Sequence, residues 1–406
     1  MIQEVDIAII GGGTSGLSCA IELAKKDNIS IIVFEREEEC GGAPRHCGHK
    51  GFGIAEFKQL LSGKEYAKKL YQKAVKSKVH IKTLHTAYKL KKGNLLYFTT
   101  PAGIKKYKAK KIVFATGARE TPRPSRLIGG IRSHNIITTG TLQRFLYLND
   151  RIPFKNSIII GSEDVSFSAL FSLKKHNIAP QGILEKNSNI QTYPILYPIG
   201  KYIFKTDIFT DIKEPVINGE NKKIKSISFK HKNIQNMIEC EGVICSGGFV
   251  PESFILKKFF DIFNFHNNSP HITQNFQTRK KDIFLIGNII RGALSSFSCY
   301  YEAKKCAKAV YNSLTNDKPL NIVEIEADET IDWYYPSMVD IDTPYDILTN
   351  IKLKKSGNYK IEVLLDNKAM IVKNGYFRSY QKIKIPNINT IIPTKSKIYI
   401  TATELT

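Results

Sequence analysis

The segment ECGGAPRHCGHKGFG (39–53) gathers Cys40, Arg45, His46, Cys47 and His49 in a short glycine-rich loop. Imidazoles can hold or move a proton near neutral pH. A guanidinium stabilises negative charge that develops during a reaction. These properties make Arg45, His46 and Cys47 the catalytic candidates, with His49 beside them. A cysteine acts as a nucleophile only as a thiolate beside a base. No base is evident in sequence for Cys47, so covalent attack is not its expected role. Cys40 and Cys47 are separated by six intervening residues, and no CxxC pair occurs anywhere in the chain. A zinc ribbon or a self-contained iron–sulfur centre is therefore not expected, and no metal site is assigned.

Such a loop needs something to act on, and the elements before it supply one. VDIAII (5–10) reads as a buried parallel strand, GGGTSG (11–16) as a turn, and LSCAIELAKK as a helix. Gly11, Gly13 and Gly16 take the positions of a GxGxxG turn, which lets a pyrophosphate approach the helix N-terminus. A second β run, ISIIVFE, ends in Glu35, 19 residues after Gly16, where a carboxylate holds adenosine ribose hydroxyls. IVFATG (112–117) and IFLIGN (283–288) read as two further buried strands ending in small-residue turns. Between them and Glu35, TAYKL, LLYFTT and IKKYKAK alternate as a three-stranded meander.

This order resembles the flavoproteins with two dinucleotide-binding domains, the glutathione reductase and thioredoxin reductase superfamily. The resemblance implies bound FAD. The implied contacts are Gly11, Gly13, Thr14, Ser15, Gly16, Glu35, Arg36, Gly42, Ala87, Ala115, Thr116, Gly117, Gly287 and Asn288. Asn288 replaces the usual Asp of the late motif and can still hydrogen-bond a hydroxyl. The implied fold is α/β, with two three-layer Rossmann-like dinucleotide-binding domains and a small β-rich C-terminal domain. The expected boundaries are 1–150 with 251–318 for a discontinuous FAD-binding domain, 151–250 for an NAD(P)-binding-like domain, and 322–406 for the C-terminal domain.

In the second domain the turn reads GSEDVS (161–166), so Glu163 and Ser166 stand where glycines are expected. The Glu163 side chain would obstruct backbone approach and its carboxylate would repel a pyrophosphate. NAD(P) is therefore a doubtful ligand there. In disulfide reductases of the glutathione reductase type the flavin-facing loop carries two cysteines separated by four intervening residues. Cys40 and Cys47 do not match that spacing, so a flavin-linked disulfide is not expected.

The pattern GGxPRHCGHxxFG, with AEFKQLLSGKEYAKKL, GSEDVSFSAL and TIDWYYPSMVD, resembles the FAD-containing subunits of opine oxidase, hydrogen cyanide synthase and dye-linked proline or hydroxyproline dehydrogenase. Similar proteins accompany anaerobic glycerol-3-phosphate dehydrogenases. This resemblance implies a FAD-dependent oxidoreductase, one electron-transferring subunit of a multi-subunit amine, amino-acid or glycerol-3-phosphate-type dehydrogenase. A second flavoprotein subunit, a small iron–sulfur protein and a small-molecule substrate are the implied partners. Two other readings compete: a stand-alone NAD(P)H-dependent reductase of the thioredoxin reductase type, and a non-catalytic FAD-stabilised scaffold or basic nucleic-acid-binding protein.

The 406 residues are 42% apolar and 24% charged, an ordinary globular balance. Sixty Lys and Arg against 37 Asp and Glu give +23, but the basic residues are scattered. Nucleic acid is therefore not the expected partner. The densest cluster, Lys105 to Lys111, alternates with Tyr107 and Ala109 as an exposed strand does. No apolar run is long enough to span a bilayer, and MIQEVDIAII lacks a basic n-region. Seven cysteines form no disulfide framework, so a cytoplasmic setting is expected. Cys299 and Cys306 share a face of the helix after Asn288 and read as packing residues. Short β runs from ILTNIKL to KIYITATEL, with turn signals at 355–358 and Asn374-Gly375, fill the C-terminal region. Trp333, Tyr334 and Tyr335 are aromatic anchors, onto the FAD-binding domain or onto a partner.

Overall fold

The apolar run near the N-terminus extends into the strand Ile2–Ile10, whose last four residues are buried. It lies parallel to Ile31–Phe34 on one side and to the end of Gly103–Phe114 on the other. Burial explains why the paired segments IAII (7–10), IIVF (31–34) and IVF (112–114) are continuously apolar. The computed structural model describes residues 2–259, 262–264, 269–292, 294–316, 318–343, 349–386 and 392–405. Across the first sheet the order is His80–Lys82, Ile31–Phe34, Ile2–Ile10, Gly103–Phe114, Leu95–Thr100 and Thr86–Lys91, with Ile283–Leu285 also paired to Gly103–Phe114. That long strand has two roles. Its first half closes the antiparallel meander, and its second half joins the parallel core.

The cluster on this strand keeps the expected exposed lysines at 105, 106, 108 and 110 and departs from the expectation at Lys111. Tyr107, Ala109 and Lys111 are all buried. Residues two apart share a strand face, so Lys111 points inward with Tyr107. Its ammonium is tolerated there because the Asp282 carboxylate lies at 2.7 Å.

The chain forms two units: one runs through Gly42, then Lys69–Gly117 and Pro251 onward, and the other joins Ala43–Lys68 to Ala118–Val250. Residues 43–68 and 118–150, assigned from sequence to the FAD-binding domain, therefore pack in the second unit. The reason is local. The 3-10 turn Ala43–His46 lies against the helix Thr139–Leu148, and Ile136–Thr138 joins a parallel sheet beside Gly242–Cys245. That sheet runs Ile136–Thr138, Gly242–Cys245, Asn156–Ile160, Ala179–Leu184, Ile208–Phe209. The helix Asp164–Lys175 covers it with buried Phe167, Leu170 and Leu173.

In the first unit the helices Thr14–Leu23 and Ser296–Thr315 pack together, and the Cys306 thiol meets Cys19 in the buried seam. The C-terminal region forms a five-stranded and a three-stranded sheet around a core that includes Ile351, Leu353, Ile361, Ile385 and Ile400. ILTNIKL forms the strand Thr349–Leu353; its first residues, Ile347 and Leu348, lie outside the described residues. Asn374-Gly375 is no turn. It lies inside Lys368–Phe377, where Gly375 pairs with Tyr359. The hairpin turns instead at Asp366-Asn367, both at positive φ (49° and 65°), which suits the twist of the flanking strands. The aromatic segment is anchored within this unit. The Arg291 guanidinium sits 5.5 Å from the Trp333 ring centroid and 4.8 Å from that of Tyr335, and it ion-pairs with Glu302. Among the described residues, no helix is long and apolar enough to cross a membrane.

Candidate functional site

All the cofactor positions expected from sequence fall in the first unit. There the turn Gly11–Gly16 runs into the helix Thr14–Leu23, whose first turn carries no acidic residue. Its N-terminus thus presents amide dipoles without a competing carboxylate. A Cβ on Gly11 would strike the Ala115 carbonyl, and one on Gly16 would strike the Gly11 carbonyl. Close packing of strand, turn and helix therefore requires both glycines. On the other side, Gly42 crosses the turn so tightly that a Cβ would lie 2.9 Å from Gly13 Cα. Gly41 N–H donates to Gly12 O at 2.7 Å.

Glu35 Oε2 accepts the Gly12 N–H at 2.8 Å and Oε1 accepts the Glu37 N–H at 3.0 Å. The buried carboxylate is thereby held at the rim of the turn. His85 N–H donates to Glu35 O at 2.8 Å, so the strand that begins at Thr86 and carries Ala87 starts beside it. Arg36 is exposed. Thr116 Oγ1 donates to Glu252 O at 2.7 Å, and Gly117, at φ +78°, faces open space. A Cβ on Gly287 would meet Ser15 Oγ, which brings the late motif directly over the helix start. Asn288 Oδ1 accepts the Leu294 N–H at 2.8 Å and so is oriented by its own loop. An acid-free helix start, glycines wherever a side chain would intrude, and an oriented ribose-type carboxylate together fit an adenine dinucleotide.

The second unit repeats this plan with its centre changed. Glu185 Oε2 accepts the Ser162 N–H at 3.0 Å, as Glu35 does for Gly12. Ser166 replaces the third glycine without a clash because its hydroxyl donates to Gly161 O at 2.9 Å. Glu163 Oε1 accepts the Gly248 N–H at 2.6 Å. The Arg126 guanidinium donates to Ile160 O, Ser246 O and Gly247 O. Glu163 stands at the N-cap position of the helix Asp164–Lys175 without a side-chain capping bond, and Asp164 occupies the first turn. The chain's own side chains thus fill and charge the turn that would cradle a pyrophosphate.

The three catalytic candidates also belong to this second unit, not to the unit of the cradle. Arg45 and His46 end the turn Ala43–His46. A Cβ built on Gly140 would lie 3.9 Å from the His46 ring and 3.5 Å from Glu120 Oε2, so both approach the start of Thr139–Leu148. Cys47 Sγ donates to Gln143 Oε1 at 3.8 Å, and Gln143 Nε2 donates on to Ser168 Oγ at 2.9 Å. Burial pushes the Cys47 thiol up to about 12, so it is protonated at neutral pH and acts as a donor, not as a thiolate. His49 Nδ1 lies 2.9 Å from Lys50 O. Glu120 was missed in the sequence. Its Oε2 accepts the Gly140 N–H at 2.7 Å and its Oε1 the Gly247 N–H at 3.1 Å. Burial pushes its carboxyl above the usual range, against the lowering effect of those two bonds. An acid two residues after a strand-ending ATGA turn was the available signal. No disulfide joins the cysteines of the described residues.

A family model for pyridine nucleotide-disulphide oxidoreductases matches residues 5–310. The chain belongs to that family. FAD binding follows from the family, and the cradle fits it. Among solved structures, the oxidoreductase is similar to the thioredoxin reductase of T. acidophilum at 18% identity, with TM-score 0.62 over 77% of this chain and 100% of that one. The L-proline dehydrogenase of P. horikoshii is 17% identical, with TM-score 0.58 over 79% of this chain and 58% of that one. The NAD-dependent persulfide reductase of A. fulgidus is 14% identical, with TM-score 0.60 over 89% of this chain and 68% of that one. At these identities the likeness is one of fold. A curated chloroplastic thiamine thiazole synthase of Citrus sinensis is 44% identical over 39 residues, so the match spans 10% of this oxidoreductase and 11% of that protein.

Proposed function

We propose that this FAD-dependent oxidoreductase is the electron-transferring subunit of a multi-subunit dehydrogenase acting on an amine, an amino acid or a glycerol-3-phosphate-type substrate. It would exchange electrons with a second flavoprotein subunit and a small iron–sulfur protein, not with NAD(P)H. The observation that carries this reading is the Glu163 carboxylate on the Gly248 amide, because it puts a fixed anion where a pyridine nucleotide's pyrophosphate would lie. The burial of Cys47, which keeps its thiol protonated, supports it, since a disulfide reductase needs a thiolate.

Bound FAD supplies reversible hydride and electron chemistry. The residues of this chain bind and orient it. The amides of Gly11–Gly16 take the pyrophosphate, Glu35 the ribose hydroxyls, and Ala115–Gly117 with Gly287-Asn288 line the remaining path. Arg45 and His46 follow Gly42 of the cradle by three and four residues. In this reading Arg45 would supply a positive charge and His46 would hold or move a proton for the electron chemistry that FAD provides. Cys47 holds the loop on Gln143.

The fold likeness to thioredoxin reductases and to an NAD-dependent persulfide reductase favours a second reading, a stand-alone NAD(P)H-fed reductase. Anaerobic titration of the visible spectrum with NADH, NADPH and then dithionite separates the two. Bleaching by dithionite alone is expected. Rapid stoichiometric bleaching by either nucleotide would replace the proposal with the second reading. Where dithionite alone bleaches the flavin, affinity purification from the native cell should recover a second flavoprotein.

A further inference from the structure

The segment after Glu185 carries a surface that the redox reading leaves unused. Residues 196–203 form a short helical stretch, Leu196–Pro198 running into Ile199–Ile203. Leu196 and Ile199 pack inward against the core of the second unit, and Phe204 is buried there. The outward residues are apolar as well. Tyr193, Ile195, Tyr202 and Ile203 are 64%, 67%, 71% and 56% exposed, and Phe171 of the neighbouring helix is 51% exposed. Phe171 meets Phe204 edge to face at 4.9 Å, which joins the two elements into one patch. Large apolar side chains left exposed this close together along the chain mark a candidate interaction site.

The charges around the patch narrow down what covers it. Lys174 reaches 5.5 Å from the Phe204 ring centroid and 3.4 Å from Ile203 O, and Lys201 lies 6.0 Å from the Tyr202 ring. Lys205 follows directly in sequence and is exposed. Residues 171–207 contain Lys174, Lys175, Lys186, Lys201 and Lys205 against two acids, of which Glu185 is buried and only Asp207 is exposed. Protein interfaces are depleted in lysine at their cores. A lipid surface favours this combination: tyrosine rings at headgroup depth, isoleucine at the acyl boundary and lysine ammoniums on anionic phosphates.

We infer that Tyr193, Ile195, Tyr202 and Ile203, rimmed by Lys174, Lys201 and Lys205, form a peripheral docking surface for an anionic phospholipid membrane. The chain lies on the bilayer through this patch and does not span it.

Vesicle co-sedimentation of the full FAD-loaded chain tests the inference. The vesicles are pure phosphatidylcholine, or phosphatidylcholine with about one-third phosphatidylglycerol, which supplies the negative surface potential. Binding to the anionic vesicles is expected to exceed binding to the neutral ones by roughly tenfold or more, and to collapse at about 0.5 M salt. Two double variants, Tyr202→Ser with Ile203→Ser and Lys201→Glu with Lys205→Glu, should each lose about tenfold in affinity. Lys222→Glu with Lys223→Glu, equal in charge change but elsewhere in the same unit, should lose little. Flavin content and far-UV circular dichroism report folding, and the charge-reversal pair keeps the test open if the serine pair misfolds. Equal binding to both vesicle types, no binding, or an equal loss in the control pair would overturn the inference. So would sedimentation velocity showing a dimer that the serine pair dissociates, since a second copy would then cover the patch.

Discussion

Glu163 Oε1 and the Gly248 amide are 2.6 Å apart. This bond ties the second glycine turn to the strand-end loop after Gly242–Cys245, and it uses the side chain that replaces a nucleotide-binding glycine. Its loss leaves a half-buried donor unpaired. Glu163→Ala should lower the free energy of unfolding by about 1–3 kcal/mol, whereas Glu163→Gln, which keeps an acceptor, should lose less. Urea unfolding of the three proteins checks the order, and an unchanged midpoint in Glu163→Ala would remove the bond from the account of this unit.

Gly16→Ala forces a Cβ into the Gly11 carbonyl and must open the strand–turn–helix junction. We expect the variant to purify with little or no FAD, read from visible flavin absorbance per chain. Ser166→Gly in the second turn loses the bonds from its hydroxyl to Gly161 O and to Ser246 Oγ. It should keep its flavin, with a stability change near 1 kcal/mol.

The Cys47 thiol is pushed up to about 12 by burial. At pH 8 its thiolate fraction is then lower than that of an unperturbed cysteine by about a thousandfold. Mass-spectrometric mapping after brief iodoacetamide treatment should find Cys47 unmodified in the native protein. Cys47→Ser should retain flavin reduction by dithionite. Fast alkylation of Cys47 would instead reopen a thiol-based mechanism.

Burial raises the Glu120 carboxyl above the usual carboxylate range. A raised folded pKa stabilises the protonated state. Its contribution is therefore fully present below the unfolded value near 4.5 and is lost as pH rises through the folded value. Glu120→Gln should flatten the fall in stability across that window, measured as the difference in urea midpoint between the two proteins at pH 4.5 and pH 7. A parallel pair of pH profiles would mean that Glu120 does not titrate above its unfolded range.

Arg291 and Glu302 form an ion pair with side chains only 10% and 12% exposed, capped by Trp333 and Tyr335. Removing one partner leaves a buried, uncompensated charge. Arg291→Met should cost about 3–5 kcal/mol, and Arg291→Met with Glu302→Leu should recover much of that. A double-mutant unfolding cycle decides it. If the single variant costs as little as a surface substitution, Arg291 is not what fastens the aromatic segment to this unit.

The elements of the first unit were legible because their signals are local. VDIAII, GGGTSG and Glu35 follow one another along the chain, and strand periodicity with glycine spacing determines what they form. The replacement of glycine by Glu163 was legible for the same reason, but the use made of its carboxylate was not. Gly248 lies 85 residues away in sequence, and only the closed parallel sheet brings its amide to Glu163. The boundary at residue 150 was misplaced because helix and strand signals show that Thr139–Leu148 and Ile136–Thr138 exist without showing which sheet they join. The fate of the Arg45–Cys47 loop was hidden in the same way, since Gln143 and Glu120 meet it through tertiary packing alone. Lys111 read as an exposed lysine until Asp282, 171 residues on, offset the cost of burying its charge. The sequence by itself determined the strands, turns and cofactor class, through backbone geometry and short-range sterics. The tertiary structure alone decided the partners of the buried charges, because desolvation depends on which distant groups the fold brings within hydrogen-bonding distance.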